Sequence, residues 1–310
     1  MDTNEIFKYR SVTTCMKASY ELVASHLVQI LKKTWWASLI LAIFTAITIY
    51  FRMPNKVLHD WGLENPWGSY LIQTFIYLAF IISSFLPSIA LWNWFNGKGW
   101  KQNAPRFVGI TILLEVVMVI LLYFGPSFIQ GLVYGYAAKA IPTHQSMTFI
   151  YCIAGVLGII NFILIFVSIM PFAYMIPRHM MREKGESWML WKSFKCGLRH
   201  FGSIFKMGFL GFLILLILCC LLSLPCMLLS GAQVASQLGA LGGDPLGVPA
   251  YFTILYLVVL IITWFIYVYI YAWQGFAFVF LYGTIEMQEK EKRKRLQTEN
   301  QKQDTVLTSK

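Results

Sequence analysis

Charged side chains are scarce in this chain. They make up 13% of its 310 residues, whereas an ordinary soluble protein carries about 25%. The apolar class makes up 58%, and the mean hydropathy is +0.62. A chain with so little charge cannot shield its apolar surface from water, so its solvent must be lipid. The composition therefore argues against disorder, a disulfide-rich secreted module and a soluble Rossmann or barrel enzyme.

Catalytic motifs are also missing. The sequence contains no His-Glu-x-x-His, Cys-x-x-Cys, Walker or Gly-x-Ser-x-Gly pattern, and no paired carboxylates within an apolar stretch. The five histidines are scattered outside the apolar stretches, at His26, His59, His144, His179 and His200. These absences predict a protein that is not an enzyme, with no catalytic residues and no metal or cofactor site.

Six apolar stretches are each long enough to cross a bilayer core of about 30 Å, which takes about 20 residues of helix. They are residues 34–51, 70–95, 107–124, 148–176, 204–229 and 251–283. No alternation typical of an outer-membrane barrel strand appears. The sequence predicts an all-α, polytopic membrane bundle of six transmembrane helices (residues 34–283), with an N-terminal arm (1–33) and a charged tail (284–310).

The distribution of lysine and arginine sets the orientation. With both termini in the cytoplasm, 22 of the 25 basic residues lie inside, and only Arg52, Lys56 and Lys139 lie outside. The predicted outer loops carry no Asn-x-Ser/Thr acceptor. Both features suit the inner (plasma) membrane of a bacterium and are compatible with a eukaryotic membrane. The +11 net charge then lies at the inner leaflet, so we expect no nucleic-acid partner.

Two segments on the predicted cytoplasmic side are amphipathic. Residues 14–33 and 188–203 each place apolar side chains on one helical face and lysines on the other. Such helices lie in the headgroup plane with their basic residues toward anionic lipid. The predicted headgroup contacts are Lys17, Lys32, Lys192, Lys195, Arg199 and Lys206. The alternative for both helices is simple structural anchoring.

The two segments also match each other at an offset of 174 residues, with four identities in fourteen positions. His26 and Lys32, for example, correspond to His200 and Lys206. Each segment leads into an outward-going span, so the pattern predicts a parallel internal repeat.

The order of interfacial helices and spans resembles several bacterial integral membrane families without assigned activity. Among these is the membrane domain attached to some glycerophosphodiester phosphodiesterases. The resemblance covers the spans only and implies a six-span bundle. No functional residue is carried over from it.

Glu115 is the single ionisable side chain deep inside a span. A carboxylate there costs about 2.5–3.5 kcal/mol on insertion scales, so the residue is a candidate for proton or cation coupling. The alternative is a neutral acid bonded to the hydroxyl of Thr111. Ser83, Ser84, Asn161 and Thr263 fall near the same depth. Together with Glu115 they form the predicted midplane pocket.

The remaining features concern cysteines and the tail. Cys152 and Cys226 fall toward the outer ends of their spans, and we expect them not to pair.

The tail carries a basic run from Lys290 to Arg295 that suits the leaflet surface. It is a solvated helix or a stalk for a protein partner.

The function predicted from the sequence is therefore a non-catalytic accessory, scaffold or lipid-organising role. The alternative is a small permease that uses Glu115 as its coupling group.

Overall fold

The computed structural model describes residues 5–52, 61, 63–124, 126–128, 130, 131, 135, 144–182, 190–243 and 249–308. In these ranges the regular structure is helical, without a strand. The helices are α1 (Val12–Arg52), α2 (Pro66–Asn96), α3 (Trp100–Val119, followed by a π-helical turn, Ile120–Phe124), α4 (His144–Ile169), α5 (Phe172–Met181), α6 (Leu190–Arg199), α7 (Phe201–Leu241) and α8 (Ala250–Thr308). Lys56, Lys139 and residues 188 and 189 of the predicted second interfacial helix lie outside the described residues.

Six stretches among the described residues are long and apolar enough to cross a membrane. They are Val12–Arg52, Pro66–Asn96, Trp100–Phe128, Gly155–Met181, Phe201–Ala240 and Tyr251–Gln301. The predicted all-α, polytopic bundle with six transmembrane helices is therefore confirmed. The apolar part of α8 ends near Gly283, and the same helix continues as a charged stretch to Thr308.

The N-terminal amphipathic segment and the first span form one helix. We expected a boundary at residues 33 and 34, but α1 runs from Val12 to Arg52 without interruption. Its sequence has neither glycine nor proline, the two residues that most readily end a helix. The second amphipathic segment behaves differently, because α6 ends at Arg199 and α7 begins at Phe201. The two arms of the predicted repeat thus differ at this junction.

The chain divides into two compact units. The first unit comprises Thr13–Asn103 and Gly208–Ala277. One of its core clusters contains Ala46, Cys226, Tyr256 and Leu260. The buried face of α1 is rich in small residues, which let helix backbones approach closely in a membrane. Near its start, the Ser19 hydroxyl donates a hydrogen bond to the carbonyl of Trp273 at 2.5 Å.

The turn after α2 is fixed by a network of side-chain amides in the first unit. Gly97 ends α2 in the left-handed conformation, at φ 67°, which glycine adopts without steric cost. Asn103 is fully buried. Its Nδ2 donates hydrogen bonds to the side-chain oxygens of Asn93 at 2.6 Å and Asn96 at 2.9 Å. The buried amide is thereby satisfied, as burial of a polar group requires.

The second unit comprises Asp2–Val12, Ala104–Met207 and Phe278–Lys310. A core cluster of Ile110, Phe172 and Met175 packs against Phe194 of α6. Helix α5 follows a break after α4 because Pro171 has no amide hydrogen to continue the ladder. Gly197 of α6 faces this break, and a Cβ there would come within 2.9 Å of the Cα of Pro171. Only glycine lets α5 and α6 approach this closely.

Candidate functional site

The residues of the predicted midplane pocket are divided between the two units. Ser83, Ser84 and Thr263 belong to the first unit. The Ser83 hydroxyl donates to the carbonyl of Phe80 at 2.8 Å, and the Ser84 hydroxyl donates to that of Ile81 at 2.7 Å. Thr263 Oγ1 accepts a hydrogen bond from the Cys226 thiol at 3.1 Å. Each of these hydroxyls is thus satisfied locally.

Glu115 and Asn161 belong to the second unit. Glu115 is exposed on α3, and Asn161 is half-buried on α4. The Thr111 hydroxyl does not bond to Glu115 but donates to the carbonyls of Phe107 at 2.7 Å and Val108 at 3.0 Å. The donated hydrogen bonds of Thr111 thus go to backbone carbonyls, and the neutral-acid alternative for Glu115 stays a prediction. A pocket that unites all five residues stays a prediction.

The six predicted headgroup contacts are all exposed. Lys17 lies 3.7 Å from Glu21, one turn away on the surface of α1. Apolar residues of the same segment are exposed too, with Tyr20 at 65% and Leu27 at 41%. Met16 and Ile30 of that face are buried, however. Because α1 continues unbroken into the first span, residues 14–33 cannot lie flat in the headgroup plane while residues 34–51 cross the bilayer.

The second unit also contains a polar group that the sequence did not predict, which we call the basal cluster. It surrounds the first turns of α8 beyond Gly283. Its members are Tyr174 and Arg178 of α5, Cys196 and Arg199 of α6, His200 between α6 and α7, and Glu286 and Glu289 of α8.

Glu286 is held by α5. The Tyr174 hydroxyl donates to Glu286 Oε1 at 2.6 Å, and the Arg178 guanidinium lies 3.7 Å from the same oxygen. Arg178 also donates to the Tyr174 hydroxyl at 3.2 Å. Tyr174 is 2% exposed. Hydrogen bonds to an ionised acceptor are stronger than neutral ones, so this contact ties α5 firmly to α8.

Glu289 is held by α6 and the residue after it. Arg199 Nη1 donates to both carboxylate oxygens, at 3.1 and 3.2 Å. His200 Nε2 lies 3.0 Å from Oε1. The Glu289 side chain is 11% exposed and that of Arg199 is 57% exposed. The carboxylate is thus buried, while its guanidinium partner reaches solvent.

Cys196 completes the cluster. Burial raises the pKa of its thiol above the ordinary value, and interaction with the Tyr174 hydroxyl partly opposes this shift. The thiol sulfur, a ring nitrogen of His200 and a carboxylate oxygen of Glu289 all lie within 4.8 Å of one another. These are three atoms of types that commonly bind metal ions.

The N-terminal segment, residues 5–11, packs on the same part of α8, just beyond Gly283. Ile6 is 1% exposed, and the Thr284 hydroxyl donates to the carbonyl of Lys8 at 3.1 Å. The Tyr9 hydroxyl bonds to the carbonyl of Met287 and to the carboxylate of Glu291. The bond to Glu291 raises the pKa of Tyr9.

The sequence held only a weak signal of the basal cluster. Cys196 and His200 are four positions apart, so they lie on one face of a helix. Glu289 is 89 positions further along the chain, in a tail whose mixed charges predict a solvated helix. The burial of its carboxylate is not predicted by the sequence.

Comparisons of this chain with known protein families, with curated proteins and with solved structures found no match. The resemblance in layout to the membrane domain of some phosphodiesterases thus stays a prediction from the sequence.

Proposed function

We propose that this chain is a non-catalytic scaffold of the inner (plasma) membrane. Its six spans hold the charged end of α8 at the cytoplasmic surface, where that end docks a protein partner. One observation carries the proposal. Helix α8 is continuous from Ala250 to Thr308, and residues of the basal cluster hydrogen-bond to its Glu286 and Glu289 just beyond its apolar part. Because contacts to Glu286 and Glu289 fix the start of this charged part, residues 284–308 form a rigid helical stalk.

The dimensions and exposure of this stalk support docking. Residues 284–308 extend about 37 Å at 1.5 Å per residue. Every residue from Lys290 to Asn300 is exposed. The exposed run from Lys290 to Arg295 contains five basic residues and one acid, Glu291. Leu296 is the one apolar residue of the exposed stretch from Lys290 to Asn300, and an exposed, mainly polar helix suits contact with a partner or with a charged surface.

The lysines of α1, α6 and α7 support a second part of the same role. Basic residues near an anionic leaflet contribute about 1 kcal/mol each to membrane attraction. The six exposed headgroup candidates would hold the base of the stalk at the lipid surface. This part of the proposal makes anionic lipid a partner of the protein.

The experiment compares the full chain with a version truncated after Glu289, which keeps the basal cluster but removes the exposed basic run, and with Glu115→Gln. Each is expressed at the same level, cross-linked in native membranes and purified in mild detergent, and the co-purified proteins are quantified. We expect the truncation to lose at least one specific partner that Glu115→Gln retains.

The alternative function, a permease coupled through Glu115, predicts the opposite pattern. In that case the truncated chain keeps its partners and its activity, while Glu115→Gln abolishes a pH- or substrate-dependent uptake. That outcome would replace the scaffold proposal.

A further inference from the structure

We propose that Cys196, His200 and Glu289 form a zinc-binding site in the basal cluster. The proposal goes beyond the scaffold role and does not depend on it. It rests on the convergence of three different ligand types from two distant parts of the chain, with their ligand atoms within 4.8 Å of one another.

The local backbone brings two of the ligands together. His200 follows the last residue of α6, and its amide still donates to the carbonyl of Cys196 at 3.2 Å, as in a helical turn. Side chains four positions apart on such a turn point to the same side. Glu289 then approaches from α8, with its Oε1 3.0 Å from His200 Nε2.

The distances suit a metal ion after a small adjustment of the side chains. Zinc binds sulfur at about 2.3 Å and nitrogen or oxygen at about 2.0–2.2 Å, so neighbouring ligand atoms in a tetrahedral site lie about 3.3–3.7 Å apart. The three ligand atoms lie within 4.8 Å of one another, so zinc binding would require the side chains to move about 1 Å closer together. The ion replaces the direct contact between His200 Nε2 and Glu289.

The donor set selects the metal. A thiolate and an imidazole favour zinc, whereas magnesium and calcium prefer sites made of oxygen atoms. On binding, the Cys196 thiol loses its proton to solvent, and His200 binds as the neutral imidazole. Three protein ligands leave the fourth position of the zinc ion to a water molecule.

The surroundings of the ligands resemble the outer shell of known zinc sites. Arg199 donates to both oxygens of Glu289, and Tyr174 contacts Cys196. Such groups orient the ligands, and their loss typically lowers metal affinity 10–100-fold. A bound zinc ion would link the junction of α6 and α7 directly to α8.

The test uses the full-length chain in detergent, purified without a histidine tag and titrated with Co²⁺ and then Zn²⁺. We expect one Co²⁺ per chain with a thiolate-to-cobalt charge-transfer absorption, which Zn²⁺ then displaces. Cys196→Ser should abolish that absorption and weaken Zn²⁺ binding by more than about 100-fold, beyond the effect of an outer-shell change. The matched control, Cys220→Ser, alters an exposed thiol of α7 and should leave both unchanged.

A second measurement protects the test against misfolding of a variant. Ligands that bind only the native state raise its thermal stability. Zn²⁺ should therefore raise the unfolding temperature of the wild type and of Cys220→Ser, but not that of Cys196→Ser or His200→Gln. An absence of the charge-transfer absorption in the wild type would overturn the proposal. Zn²⁺ binding or stabilisation that persists in Cys196→Ser would overturn it too.

Discussion

The carbonyl oxygen of Ile6 occupies the space where Gly283 would carry a Cβ. The N-terminal segment therefore lies directly on the backbone of α8, at the point where its apolar part gives way to charge. Ile6 is buried there, and Thr284 donates to the carbonyl of Lys8. The start of the chain thus helps to fix the base of the stalk.

Gly283→Ala should detach this N-terminal segment. The added methyl group meets backbone, which cannot rotate away, and overpacking of this kind costs about 1–3 kcal/mol. We expect faster trypsin cleavage after Lys8 and Arg10, followed by mass spectrometry of the released peptides. The unfolding temperature in detergent should also fall.

Gly275→Ala provides the matched control on the same helix. A Cβ at residue 275 meets nothing within 4 Å, and alanine favours a helix over glycine by about 1 kcal/mol. This variant should keep the wild-type cleavage rate and should not lose stability. Equal behaviour of the two alanine variants would show that Ile6 does not pack on Gly283.

The sequence predicted the spans because their signal is local. A stretch such as residues 204–229 carries its own length and apolar character, so the helix follows from composition alone. The contact of Tyr174 with Glu286 joins residues 112 positions apart. No local pattern marks which acid of a charged tail will be buried, so the basal cluster could not be predicted.

The amphipathic segments show a second limit of sequence reasoning. The pattern correctly marked residues 14–33 as helical, and Tyr20 and Leu27 of its apolar face are exposed. The face that packs on protein combines apolar residues of the predicted face, Met16 and Ile30, with small residues such as Cys15 and Ser19. Small residues pack helices closely within membranes, and a hydrophobicity pattern gives them little weight.

Tyr174→Phe should loosen the charged stalk. The hydroxyl donates to the Glu286 carboxylate at 2.6 Å in a buried setting, and hydrogen bonds to charged groups contribute about 1.5–3 kcal/mol. We expect a loss of about that size in the free energy of unfolding, measured by titration with a denaturing detergent. Amide hydrogen exchange in residues 284–308 should become faster.

Tyr9→Phe serves as the control for this prediction, because the Tyr9 hydroxyl bonds to Glu291 of the same stalk but is exposed. Substitution of this exposed residue should therefore change the free energy of unfolding much less than Tyr174→Phe does. If the two phenylalanine variants lose the same stability, burial of the Tyr174 contact has no special energetic role. The basal cluster would then not be what fixes α8.

The orientation of the chain gives a further prediction, which both the stalk and the headgroup contacts require. In a background with Cys152 and Cys220 replaced by serine, Lys139→Cys should react with a membrane-impermeant maleimide in intact cells, since residue 139 lies in a predicted outer loop. Thr3→Cys and Lys310→Cys should react only after permeabilisation, because the bias of lysine and arginine keeps both termini inside. An even number of spans forces the two termini to behave alike. Labelling of one terminus alone would mean that one of the six apolar helices does not cross the membrane, and labelling of both in intact cells would move the stalk and its basic run to the outer surface.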